Sequence, residues 1–141
     1  MGIHPTIRTI ERELRKYPSV RYSATNDHIQ VEPVDNDGFT VWLTVRQSGL
    51  TVGFDGWRED FADETEAWSA FAFGLSDRCR LKVVKRGNTE CSWTLEYRDE
   101  EGHWTRDSVT ALVFAPFWRR KVVVYRQNRS LVEDRLGPTG D

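Results

Sequence analysis

Between Arg80 and Arg126 the chain alternates in a way that few architectures can accept. Cys91, Trp93, Leu95 and Tyr97 fall on one side of a period-two pattern, and Ser92, Thr94, Glu96 and Arg98 on the other. Successive strand side chains point to opposite faces, so this is a strand with one buried and one wet face. The run Val109-Thr110-Ala111-Leu112-Val113-Phe114-Ala115 is nearly all apolar. It reads as a strand covered on both faces.

Helical spacing marks two other segments. Ile3, Ile7, Ile10, Leu14 and Tyr17 recur every three or four residues, with Arg8, Glu11, Arg12, Glu13, Arg15 and Lys16 on the opposite side. That is an amphipathic helix, started by Pro5 and stopped before Pro18. Trp68, Phe71, Ala72 and Leu75 make a second apolar stripe. Asp63 with Glu66 forms a capping box at its start, Glu64 adds a favourable charge, and Phe61 is placed to staple the entry. A structural role thus accounts for those carboxylates without a metal.

Between the helices runs a meander. Ile29 and Val31 alternate with polar neighbours, as do Phe39, Val41, Leu43 and Val45, then Leu50, Val52 and Phe54. Ser48-Gly49 and Asp55-Gly56 are turn signals. A short strand around Tyr22 leads the series. Later, Gly87-Asn88 suggests a two-residue turn, but that register would set Lys82 against Trp93. A three-residue loop, Gly87-Asn88-Thr89, instead sets Val83 against Trp93, Leu81 against Leu95 and Arg86 against Glu90. One residue of slip inverts a strand's faces, so the apolar pattern favours the longer loop. Beyond Asp99-Glu100-Glu101-Gly102, a loop of two or four residues would pair Tyr97 with Trp104. Pro116 ends the apolar run, and Val122 to Tyr125 make the last strand. The expected fold is α+β: a largely antiparallel sheet of six to eight strands with two helices packed on one face.

With 141 residues, 38% of them hydrophobic and 30% charged, the chain suits one domain with its own core. Residues 1–128 form that domain, and 129–141 are a polar tail expected to fray. No apolar run of about eighteen residues exists, and the N-terminus lacks an apolar signal segment, so neither a membrane nor export is expected. Gly2 with Thr6 gives a nominal myristoylation match too loose to carry weight. Cys79 and Cys91 would lie about six strand steps apart, roughly 20 Å at ~3.3 Å per step, too far to bridge. They read as two small buried hydrophobes, and a reducing, cytoplasmic setting is expected.

Chemistry-bearing motifs are scarce. His4, His28 and His103 are the only histidines, and none belongs to a zinc-binding spacing. Nucleophile elbows, dinucleotide fingerprints and phosphate loops are absent from the sequence. No catalytic residue, metal ligand set or cofactor is assigned, and an enzyme is the less favoured class. Six tryptophans are the compositional oddity. Trp42 falls on the polar side of its strand with Thr40, Thr44 and Arg46, so it is either covered by another layer or part of an interface. Trp57 and Arg58 stand beside a turn, and Trp118, Arg119 and Arg120 lie in a basic aromatic segment, Phe117 to Lys121. Exposed aromatic and arginine residues are the usual interface anchors.

Charge is uneven along the chain. Residues 1–31 carry five basic and three acidic groups, 32–66 two and nine, and 67–141 thirteen and ten, for a net −2. That balance argues against nucleic acid as a partner, and the Arg119-Arg120-Lys121 triplet reads first as protection of a sheet edge. The favoured expectation is a cytoplasmic protein- or peptide-binding module that uses Trp42, Trp57, Arg58, Trp118, Arg119 and Arg120, with self-association open to it. One alternative is a small-ligand domain or small enzyme with a pocket between helices and sheet. Such a pocket would be Trp-lined and contain His28, Glu59 or Arg58. Another is weak nucleic-acid binding through residues 117–121, which a continuous basic stripe would favour.

Overall fold

The computed structural model describes residues 2–128; the tail at 129–141 lies outside the described residues. Helix α1 (Pro5–Leu14) is followed by strands β1 (Arg21–Ala24), β2 (His28–Glu32), β3 (Val41–Arg46), β4 (Gly49–Phe54) and β5 (Trp57–Phe61). Then come helix α2 (Glu64–Leu75) and strands β6 (Cys79–Arg86), β7 (Thr89–Arg98), β8 (Trp104–Ala111) and β9 (Lys121–Arg126).

The α+β class and the two helices agree with the sequence, but the single sheet of six to eight strands does not form. The nine strands among the described residues divide into a five-stranded antiparallel meander, β1-β2-β3-β4-β5, and a four-stranded antiparallel sheet ordered β8-β7-β6-β9. Periodicity sets which face of each strand is apolar. It carries no information on whether β5 hydrogen-bonds to β6, and α2 between them separates the sheets.

Pro5 opens α1 and Asp63 caps α2 as expected, but α1 ends at Leu14, short of Tyr17, and the Glu66 half of the capping box is not formed among the described residues. The Nδ1 of His4 accepts the Thr6 N–H at 3.1 Å ahead of Pro5, and the Asp63 carboxylate accepts the Thr65 N–H at 3.2 Å. Ile7, Ile10 and Leu14 of α1 and Phe71 and Leu75 of α2 join one core with Ile29, Val31, Leu43, Val52 and Phe54 of the first sheet. Leu81, Val83, Trp93 and Leu95 bring the inner face of the second sheet into the same core. The β4–β5 turn drives into that face: a Cβ at Gly56 would collide with the Trp93 indole. The Cys79 and Cys91 thiols are free and buried, and burial pushes the Cys79 thiol up to about 12.

The β6–β7 hairpin reconciles two signals that conflict in the sequence. Val83 faces Trp93, Leu81 faces Leu95 and Cys79 faces Tyr97, as the apolar pattern requires. At the tip, however, Lys85 faces Glu90 and Arg86 faces Thr89, so Gly87 and Asn88 alone form the turn. The expected three-residue loop and the Arg86–Glu90 pairing are therefore not formed. A one-residue slip between Val84 and Lys85 absorbs the difference as a bulge at Cys91. Gly87, at φ 63°, satisfies the local turn, burial sets the remaining register, and the bulge joins the two.

Two further expectations are corrected. Tyr97 faces Thr105, while Trp104 faces Arg98, because the Asp99–His103 turn has an odd number of residues, one more than the longer of the two loops considered. The apolar run from Val109 to Ala115 is not a strand covered on both faces. β8 ends at Ala111 on the sheet edge, Val109 is 45% exposed, and Val113 and Phe114 are each 89% exposed in the following loop. Apolar composition alone does not distinguish a central strand from an edge strand that runs into an apolar loop.

The chain closes through its last described residues. Gln127 donates its backbone N–H to the Asp37 carbonyl at 2.7 Å and its side-chain amide to the Asp77 carbonyl at 2.7 Å. Arg126 on β9 reaches both Asp55 of the β4–β5 turn and Glu90 of β7, at 2.6 Å each.

Candidate functional site

Alternation along the second sheet sends one set of side chains into the core and the other outward. On the outer face β6 presents Arg80, Lys82, Val84 and Arg86, and β7 presents Ser92, Thr94, Glu96 and Arg98. The register to the flanking strands adds Trp104, Arg106, Val109 and Ala111 from β8, and Lys121, Val123 and Tyr125 from β9. Six cations thus share a face with one carboxylate, Glu96, in a chain whose net charge is −2. Neither helix covers this face; Val109, Val123 and Tyr125 on it are exposed.

The centre of the face is organised around Arg80. Its guanidinium sits 4.4 Å from the Trp104 ring centre and 4.2 Å from that of Tyr125, and its Nε donates to Glu96 at 2.6 Å. Arg98 lies 4.9 Å over the same Trp104 ring. The one carboxylate is therefore committed to Arg80, and the planar cation and two aromatic rings brace each other across three strands. Among the described residues, Lys82, Arg86, Arg98, Arg106 and Lys121 form no ion pair.

Residues 112–120 cross one end of this sheet. The Leu112 N–H donates to the Cys91 carbonyl at 2.8 Å, and the Gly87 N–H donates to the Arg120 carbonyl at 2.9 Å. Phe117 and Trp118 pack edge to face, with ring centres 5.5 Å apart, yet are 74% and 72% exposed. Arg119 and Arg120 are exposed beside them.

The six interface candidates therefore scatter. Trp118, Arg119 and Arg120 stand together at the end of the second sheet. Trp42 and Arg58 lie on the outer face of the first sheet, flanking Gly53 in one register row. The Trp42 indole lies across Gly53, where a Cβ would collide with it, and its Nε1 donates to the Asp55 carbonyl at 3.2 Å. It needs no second layer. Trp57 is buried rather than exposed beside its turn: it is 2% exposed and stacked on Phe54 at 4.6 Å, because its strand position faces inward. Lys121 does open an edge strand, as the triplet suggested.

Arg80, Trp104 and Tyr125 were absent from the sequence candidates. The usable signal was the sign of charge on the polar side of each predicted strand, rather than charge summed over the chain. Asp99, Glu101 and His103 place one ligand atom each within 4.8 Å of one another in the exposed β7–β8 turn. Asp99 has structural work there, accepting the Glu101 and His103 N–H groups at 2.9 and 2.8 Å. Those hydrogen bonds, the His103 one foremost, hold its carboxyl below the usual range.

No family model matches the chain, and no curated protein or solved structure matches it either. No helix among the described residues is long and apolar enough to cross a membrane.

Proposed function

We propose that this protein is a binding module for single-stranded nucleic acid, carried on the outer face of the second sheet. The observation behind this reading is the segregation of Arg80, Lys82, Arg86, Arg98, Arg106 and Lys121 around Trp104 and Tyr125 on an open face with one carboxylate. Phosphates neutralised by such cations release counterions, and exposed rings stack unpaired bases regardless of sequence. The face spans four strands, broader than the two-stranded ribbon a major groove admits, which favours single strands. Phe117 and Trp118 extend the platform at the end marked by Arg119 and Arg120. Free, buried cysteines suit a reducing compartment such as the cytoplasm.

Fluorescence anisotropy with a labelled single-stranded oligonucleotide at about 50 and 200 mM salt tests it. Engagement of the five unpaired cations would give a log–log salt slope of about −3.5, at roughly −0.7 per phosphate. A Lys82→Ala, Arg86→Ala, Lys121→Ala variant is expected to lose at least tenfold in affinity and about two units of slope. Absence of binding at low salt, or an unaltered variant, overturns the reading.

A second reading, docking of a protein or peptide, has its own observation: Val113, Phe114, Phe117 and Trp118 are 72–89% exposed within one loop. Contiguous exposed apolar surface commonly marks an interaction site. If Phe114→Ser with Trp118→Ser abolishes association with a partner protein while oligonucleotide binding is absent, this second reading replaces the first.

A further inference from the structure

A different site lies where β5, α2, β7 and β8 meet, away from the outer face. A cleft of ≈ 270 Å³ is lined by Phe54, Trp57, Phe73, Leu95 and Tyr97, with Glu59 and Asp107 among its walls. Phe54, Trp57 and Leu95 are buried and form the floor, while both carboxylates are exposed at the mouth. The dimensions suit a fragment-sized group, below the range for drug-sized ligands.

Both carboxylates occupy positions that folding alone does not favour. Glu59 faces Val52 on the inner side of the first sheet, where its neighbours in register are the pairs Leu50–Phe61 and Phe54–Trp57. An apolar residue would continue that pattern. Asp107 is the extra residue of the β8 bulge: Glu96 pairs with Arg106 and Leu95 with Ser108, leaving Asp107 unpaired. A bulge of this kind redirects a side chain. The Asp107 carboxylate is oriented by a relay, since the Trp57 Nε1–H donates to the Ser108 hydroxyl at 3.0 Å and that hydroxyl donates to Asp107 at 2.9 Å. Neither Glu59 nor Asp107 has an ion-pair partner among the described residues.

We propose that this cleft binds a ligand carrying a protonated amine or guanidinium on an apolar stem. Two carboxylates without a counter-cation offer a cation ion pairing, while the aromatic and aliphatic walls accept the apolar stem. Burial first, and the nearby Asp107 charge second, raise the Glu59 carboxyl above its ordinary range, and a bound cation would offset the repulsion. The chemistry is shared by a free small amine and by a lysine or arginine side chain of another protein.

The test compares phenethylamine with its neutral counterpart phenethyl alcohol, and with a capped Ala-Lys-Ala peptide. Calorimetry gives affinities, and the Trp57 indole N–H resonance in two-dimensional NMR reports occupancy of this site. The amine is expected to bind at least tenfold more tightly than the alcohol and to shift the Trp57 resonance. Glu59→Gln and Asp107→Asn should each remove several-fold of the amine's affinity and leave the alcohol unaffected. Tighter binding of the peptide than of the free amine assigns the ligand to a protein side chain, and the reverse order to a small molecule. Equal affinity for amine and alcohol, a silent Trp57 resonance, or retention of the amine preference in both variants overturns the proposal.

Discussion

The side-chain amide of Asn128 takes both backbone groups of Phe39, a residue 89 positions earlier: the Phe39 N–H donates to Oδ1 at 3.0 Å, and Nδ2 donates to the Phe39 carbonyl at 3.1 Å. The same Nδ2 donates to the Gly74 carbonyl at 2.9 Å, so one buried side chain ties the β2–β3 loop, the end of α2 and the exit of β9. Asn128→Ala strands three buried polar groups and is expected to cost about 2–4 kcal/mol, with Asn128→Asp also destabilising because a carboxylate cannot donate. Urea unfolding measures it; a loss under about 0.5 kcal/mol would show that the closure contributes little.

Arg126 joins the sheets through two carboxylates whose titrations shift in opposite directions. Hydrogen bonding to Arg126 holds Glu90 below its ordinary range, whereas burial outweighs the bonds from Thr40 and Arg126 and raises Asp55. The Glu90 contribution is present above its unfolded value and is lost as pH falls through the depressed folded value. Asp55 acts oppositely: its protonated form is favoured in the fold, and that stabilisation fades as pH rises through the raised value. Glu90→Gln should therefore cost about 1–2 kcal/mol at neutral pH and progressively less in acid. Asp55→Asn should cost less at neutral pH, since asparagine can still accept from Thr40 and tolerates the φ of 52°. Denaturation at several pH values checks the order, and a larger loss for Asp55→Asn would refute it.

Trp93 and Gly56 form the steric contact between the β4–β5 turn and the second sheet. Trp93→Ala is expected to cost about 3–5 kcal/mol. Gly56→Ala should destabilise the native protein yet cost much less in the Trp93→Ala background, where the cavity receives the methyl group. A double-mutant cycle reads this coupling, and additive costs would mean that the turn packs elsewhere.

Phe114 and Trp118 contribute exposed surface and little to the core. Phe114→Ser and Trp118→Ser should each change stability by less than about 0.5 kcal/mol while lowering self-association, measured by unfolding and light scattering respectively. A large stability loss would place these side chains in the packed interior.

Glu59 and Asp107 repel one another across the cleft mouth. Since the folded Glu59 value is raised, ionisation costs more in the fold than in the unfolded chain, and stability declines as pH rises above the ordinary glutamate range. Glu59→Gln should accordingly raise the Tm at pH 7, with the gain vanishing at acid pH. A lower Tm at pH 7 would indicate a favourable partner for the charge.

Local chemistry determined most elements of this protein, though not β5, whose run Trp57-Arg58-Glu59-Asp60-Phe61 carries no apolar alternation. The Ile7-Ile10-Leu14 spacing, the Asp63 cap, the strand alternation and the pairing of Val83 with Trp93 depend on neighbours within a few turns or across one hairpin. Tertiary structure decided what such signals do not contain: that α2 divides the strands into two sheets, that Trp57 is core, and that Val113 and Phe114 meet water. It also decided both candidate sites. The Arg80, Trp104 and Tyr125 cluster comes from three strands, and charge summed along the chain averages its cations against acids elsewhere. Glu59 and Asp107 become neighbours only when the first sheet's edge meets a bulge in the second. Periodicity reports the face a residue occupies, whereas a site depends on which faces meet, and that follows from long-range packing.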